Sequence, residues 1–171
     1  MKELLDYIEN EARVNAAFHI ANADSLTKES NTLLNLLLAG AGGALALLVS
    51  LLQKTTPAPT WQLWAVGAAA VYLFALAGLV VRKCLWVQDI WPPANDPRNF
   101  PLTGYSLDQI RQFDLENKQR CCDSNRLRNE GVGIWLNRCR SLAAATPLVT
   151  ALVALAAAVV AAGGLAAYWA G

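Results

Sequence analysis

Between residues 118 and 140, the sequence KQRCCDSNRLRNEGVGIWLNRCR concentrates side chains that could bind phosphate. It carries six basic and two acidic residues. Guanidinium groups hold phosphate oxygens through paired hydrogen bonds, and ammonium groups hold them as point charges. Arg138 and Arg140 lie beside an apolar stretch, where basic residues often only set membrane topology or contact lipid headgroups. The candidate phosphate ligands further from that stretch are Lys118, Arg120, Arg126 and Arg128.

Two predicted helices each carry a face that is polar in its middle and apolar at its ends. In the N-terminal helix this face holds Asn15, His19 and Asn22, at three- and four-residue steps. In the central helix it includes Asn117 and Asn125. One interpretation is a hydrogen-bonded seam that fixes helix register, and the other is a ligand site between the helices. Because segment 1–31 is net acidic and segment 82–147 net basic, we expect the two helices to pair, antiparallel.

Residues that would indicate enzymatic or metal chemistry are nearly absent. The sequence has no glycine-rich phosphate loop and no GxSxG or HExxH motif. Arg13 and His19 match the loose spacing of some small ribonucleases, but a six-residue step places them on different faces of a helix. The four cysteines lack CxxC spacing, and there is one histidine, so the sequence predicts no metal site. We predict a protein that is not an enzyme and needs no cofactor.

Three long stretches contain no charged residue or histidine, namely Leu33–Leu52, Trp61–Val81 and Leu148–Trp169. Each has about the ~20 residues that a helix needs to cross the hydrocarbon core of a bilayer. Only 16% of the chain is charged, against about 25% in soluble domains. The sequence therefore predicts an all-α membrane protein with three transmembrane helices and a cytoplasmic helical bundle.

Lys and Arg are distributed unevenly around these stretches. The N-terminal segment has three, the connection between the first two spans has one, and residues 82–147 have ten. Basic residues favour the cytoplasmic side. We therefore expect the N-terminus and residues 82–147 to face the cytoplasm, and the 54–60 turn and the C-terminus to face outward.

The first span combines an amide with small residues on one face. Asn35, Ala39, Gly42 and Ala46 share this face, and leucines occupy the other sides. Such a face is typical of tight helix–helix packing, or of a water-accessible pathway in an oligomer. Three helices cannot enclose a pore within one chain, so a channel would require several copies.

The remaining sequence signals divide the chain. Four prolines between Trp86 and Ser106 indicate a loop, and Ser106 with Gln109 resembles a capping box that starts a helix near Leu107. Gly131 and Gly133 are expected to weaken this helix, which could pass directly into the third span. The predicted segments are an amphipathic helix (1–31), span 1 (32–53), span 2 (61–82), a Pro-rich loop (83–105), a basic helix (106–146) and span 3 (147–170).

The chain resembles small membrane effectors of bacterial anti-phage signalling: SLATT-type proteins, the transmembrane effectors of CBASS and Pycsar, and the membrane component of Hailong systems. The resemblance is carried by a polar helix that runs into SNTLLNLLLAGAGGALALLVSLL, by a second span after a short turn, by NDPRNFP, and by NKQRCCDSNRLRN. It implies a homo-oligomer in a lipid bilayer that is switched by a cyclic nucleotide or oligonucleotide from a partner nucleotidyltransferase, ending in ion leakage. The alternative is a non-conducting membrane scaffold that docks a soluble partner protein.

Overall fold

The computed structural model describes residues 2–56, 58–86, 90–91 and 104–169. This part of the chain is entirely helical, as expected. It comprises α1 (Lys2–Leu52), α2 (Thr60–Val80), a π-helical turn (Val81–Leu85), α3 (Leu107–Ala144) and α4 (Thr146–Trp169). Most of the predicted Pro-rich loop, including NDPRNFP, lies outside the described residues.

In the described part of the chain, two helices are long and apolar enough to cross a membrane. The number is three if a bent pair of helices is counted as one span. The first two lie within Glu3–Leu52 and Thr60–Leu85. The bent pair consists of Leu107–Ala144 and Thr146–Ala162, which meet at an angle of 44° across a short break. By length and composition, these two to three candidate spans indicate a membrane location.

Pro147 accounts for the break between α3 and α4. Proline has no amide hydrogen and its ring collides with the carbonyl four residues earlier, which here belongs to Ala143. The hydroxyl of Thr146 donates to this carbonyl at 2.6 Å, so the freed acceptor is satisfied within the chain. The helix does not continue directly into the third span, and the interruption is at the proline rather than at Gly131 and Gly133, through which α3 runs unbroken.

The start of α3 is fixed by reciprocal hydrogen bonds. The backbone N–H of Ser106 donates to Oε1 of Gln109 at 2.9 Å, and the backbone N–H of Gln109 donates to Oγ of Ser106 at 3.3 Å. Two amide groups that a helix start leaves unpaired are thereby satisfied. The predicted capping box is confirmed.

The described residues fall into two compact units, of which the first comprises Met1–Glu29 and Trp86–Ile134. Here the N-terminal part of α1 pairs with α3. Arg111 near the start of α3 bonds Glu9, and Asn129 further along bonds the carbonyl of His19. The contacting residues follow in the same order along both helices, so the pair is parallel. The prediction of an antiparallel pair is wrong.

The second unit comprises Ser30–Leu85 and Trp135–Gly171. One face of α1 is buried here, at Ser30, Leu37, Ala41 and Leu51. Gly40 lies against α2, because a Cβ added to it would be 3.2 Å from Cδ1 of Leu73. The helix α2 also contacts α4, and the Tyr72 hydroxyl donates to the carbonyl of Leu142 at 2.9 Å. Small residues thus allow close helix packing where no hydrophobic effect drives it.

We expect Gly40→Val to reduce the free energy of unfolding in detergent by about 1–3 kcal/mol, the usual cost of overpacking. The added methyl groups would collide with Leu73. Gly43→Val is the matched control, since a Cβ at Gly43 meets nothing within 4 Å. Equal effects of the two substitutions would contradict close packing of α1 against α2 at Gly40.

Candidate functional site

A cavity of about 400 Å³ lies between α1 and α3 in the first unit. It brings together His19 and Asn22, both predicted for a polar face, with the predicted phosphate ligand Arg126. The remaining lining residues are Phe18, Leu26, Asn129, Glu130 and Gly133. About two turns of each helix supply these side chains, so the cavity depends on the pairing of α1 with α3.

The other predicted phosphate ligands do not line this cavity, and two of them already contact a neighbouring side chain. The Lys118 ammonium pairs with the Asp114 carboxylate at 2.6 Å, one turn away on the same helix. Arg120 is exposed and does not line this cavity. Arg128 is half-buried: its Nη1 donates to Oδ1 of Asn129 at 3.2 Å, and its Nε is buried without a hydrogen-bond partner among the described residues.

The charges around the cavity are mixed. Arg126 lies 4.0 Å from the Asp123 carboxylate, a loose and exposed ion pair that contributes little energy. Glu130 also lines the cavity. A bound phosphate would therefore have Arg126 as its cation and would have to avoid Glu130, while the amides of Asn22 and Asn129 offer neutral hydrogen bonds.

The predicted polar face divides into buried and exposed parts. Asn125 is buried, and its amide bonds both backbone groups of Trp91: Oδ1 accepts from the N–H at 3.2 Å, and Nδ2 donates to the C=O at 3.0 Å. Asn15 lines a second cavity of about 550 Å³ together with Gln119. Asn22 and Asn117 are exposed. Asn125 thus holds the chain after the second span against α3.

Two residues that join α1 to α3 were not predicted from the sequence. Asn129 is buried, and its Nδ2 donates to the carbonyl of His19 at 2.8 Å. Arg111 holds the Glu9 carboxylate in a paired contact, at 2.6 Å from Nε and 2.9 Å from Nη2, and also bonds Asp6. These hydrogen bonds lower the pKa of Glu9 and raise that of Arg111 above its ordinary value. In the sequence, the signal for this contact was the opposite net charge of segments 1–31 and 82–147.

At the end of α3 the basic residues contact an aromatic ring. The Trp135 ring has the Lys83 ammonium 5.0 Å and the Arg138 guanidinium 5.1 Å from its centroid. Both distances are typical of cation–π contacts. Arg138 is thus engaged next to the apolar segment, which favours a positioning role over phosphate binding.

In the apolar part of α1, the predicted small-residue face points away from the rest of the chain. Asn35, Ala39, Gly42 and Ala46 are all exposed. The buried residues Leu37 and Ala41 lie on the other side of the helix. Added side-chain atoms at Gly42 would meet nothing within 4 Å, so this face is open to lipid, water or another molecule.

The side chains around the cavity offer hydrogen-bonding groups and the guanidinium group of Arg126. Among the described residues, no three His, Cys, Asp or Glu side chains come together in a way that could hold a metal ion. All four cysteines are buried and form no disulfide bond. No protein-family model, curated protein or solved structure matches this chain.

We expect Asn125→Ala to lower the free energy of unfolding by about 1–3 kcal/mol, because the Trp91 backbone groups would lose their partners. Hydrogen exchange at the Trp91 amide should rise in the same variant. Asn117→Ala is the control, since Asn117 is exposed. Unchanged exchange at Trp91 in Asn125→Ala would contradict the double hydrogen bond.

Proposed function

We propose that this protein is an oligomeric membrane effector of bacterial antiviral defence. Several copies form an ion channel or a membrane-perturbing assembly, and a nucleotide or oligonucleotide signal controls it through the cytoplasmic helices. The protein lies in the inner membrane with its N-terminus in the cytoplasm and its C-terminus in the periplasm. The resemblance of its polar helix, short turn and basic helix to anti-phage membrane effectors supports this proposal.

The observation that carries the proposal is the exposed amide of Asn35. It lies within an uncharged stretch of α1, on the opposite side of the helix from the buried Leu37 and Ala41. An amide in hydrocarbon requires a hydrogen-bond partner or water. The exposed Ala39, Gly42 and Ala46 would allow another helix to approach closely. Both requirements are met when copies of the chain surround a common axis.

The cavity around Arg126 is the proposed sensor. Its guanidinium can hold a phosphate, and the ring of His19 and the amide of Asn22 can contact a base. A bound signal shifts the assembly towards the conducting state only through a higher affinity for that state. Glu130 at the same cavity disfavours simple inorganic anions and favours a ligand that places neutral hydrogen-bonding groups there.

Electrical recording of the purified protein in planar bilayers tests the conducting function, with cyclic dinucleotides and short oligoadenylates as probes. We expect ligand-dependent conductance that falls about tenfold or more in Asn35→Leu, because the amide would be lost from the axis. Asn35→Gln is the matched control and should retain most of it. Absence of current under every ligand, or full current in Asn35→Leu, would contradict the proposal. The non-conducting scaffold instead predicts a stable complex with a soluble protein and no role for Asn35.

A separate measurement tests the sensor. We expect Arg126→Glu to raise the ligand concentration for half-maximal current about tenfold or more, because one charge-assisted hydrogen bond to phosphate contributes about 1.5–3 kcal/mol. Arg13→Glu is the control: Arg13 is also exposed on a helix, and among the described residues it bonds only the nearby Asn10. If both variants respond like the wild type, phosphate binding at this cavity is excluded.

A further inference from the structure

The polar part of α1 carries a row of exposed apolar side chains. Leu4, Tyr7, Val14 and Phe18 are 62, 62, 56 and 63% exposed, and at about 100° per residue they share one face with Glu11. We call this face the α1 stripe. The segment also carries the charges of Asp6, Glu9 and Arg13, so it does not lie within the hydrocarbon core.

A matching row lies on α3. Phe113, Leu127 and Ile134 are 52, 64 and 52% exposed, and Arg120 stands between the first two at the same seven-residue spacing. We call this face the α3 stripe. Residues seven apart share one side of a helix, and repeats of this spacing form helix-packing seams. The buried residues of α3 in this unit, Cys121, Cys122, Asn125, Asn129 and Val132, lie on the other side.

The two stripes have complementary charges at their centres. Glu11 interrupts the apolar side chains of one, and Arg120 interrupts those of the other. Neither has an ion-pair partner among the described residues. Two α1 stripes placed together would oppose Glu11 with Glu11, and two α3 stripes would oppose Arg120 with Arg120. Charge therefore favours contact between unlike stripes.

The two charges also lie in the same stretch of the helix pair. Within one chain, α1 and α3 contact each other at Glu9–Arg111 and at His19–Asn129. Glu11 and Arg120 both lie between these two contacts, so the two stripes carry their charges in the same part of the first unit.

We propose that a second copy of this chain covers these faces: the α1 stripe of each copy packs against the α3 stripe of its neighbour, with Glu11 paired to Arg120. Such a head-to-tail contact uses two different surfaces and closes into a ring when the rotation allows it. The proposal shares with the proposed function the premise of an oligomer in a membrane. It requires neither conductance nor a ligand.

Charge reversal in trans tests this contact. Full-length Glu11→Arg and Arg120→Glu variants, each with its own tag, are expressed separately and together, and assembly is measured in detergent by native mass spectrometry after tandem purification. Each variant alone would oppose like charges at every contact, so we expect its oligomer fraction to fall about tenfold or more. Together they restore unlike charges only at contacts between different variants, so complexes carrying both tags should recover. Asp24 is exposed and lies outside the α1 stripe, so the charge-reversal variant Asp24→Arg should assemble like the wild type.

The outcomes distinguish a second copy of this chain from other partners that could cover the two stripes. Rescue by co-expression supports contact between copies. Rescue only when both substitutions are in one chain would indicate pairing within that chain and overturn the proposal. A monomeric wild type, or single variants that assemble normally, would also overturn it and leave the stripes to a different protein. A wild-type ring that depends on these charges but never conducts supports this contact and contradicts the proposed function.

Discussion

Hydrocarbon excludes charged and unpaired polar groups, and this constraint organises the whole chain. The uncharged stretches become the apolar parts of α1, α2 and α4, because helices satisfy their own backbone hydrogen bonds. Where the backbone cannot do so, a neighbouring side chain acts, as Thr146 does for the carbonyl freed by Pro147. Packing there relies on small residues such as Gly40, since apolar burial gives little advantage in lipid.

The first unit, in which the N-terminal part of α1 pairs with α3, is held together by a different set of forces. Buried amides at Asn125 and Asn129 bond backbone groups, and Arg111 joins α3 to two carboxylates of α1. These directional hydrogen bonds can form in only one register of α1 against α3. Packed alanine side chains alone would allow one helix to slide along the other. The cavity at His19 and Arg126 exists because this register brings their two helical turns together.

In each unit, some exposed side chains do not match their surroundings. Asn35 is an amide in an apolar segment, while Phe18 and Leu127 are large apolar side chains in a charged one. A polar group in hydrocarbon and an apolar group in water are both unfavourable. Contact between copies would relieve both, so two unrelated physical effects favour the same kind of assembly.

The sequence alone determined the helical class, the apolar stretches and the start of α3, because charge exclusion and capping are local properties. The weak point of this helix was expected at Gly131 and Gly133, and the structure has the break at Pro147 instead. The tertiary structure decided the direction of the α1–α3 pair, the partners of Arg111 and Asn125, and which basic residue enters the cavity. Opposite net charges allow two helices to attract in either direction. Only their packed register determines which side chains meet.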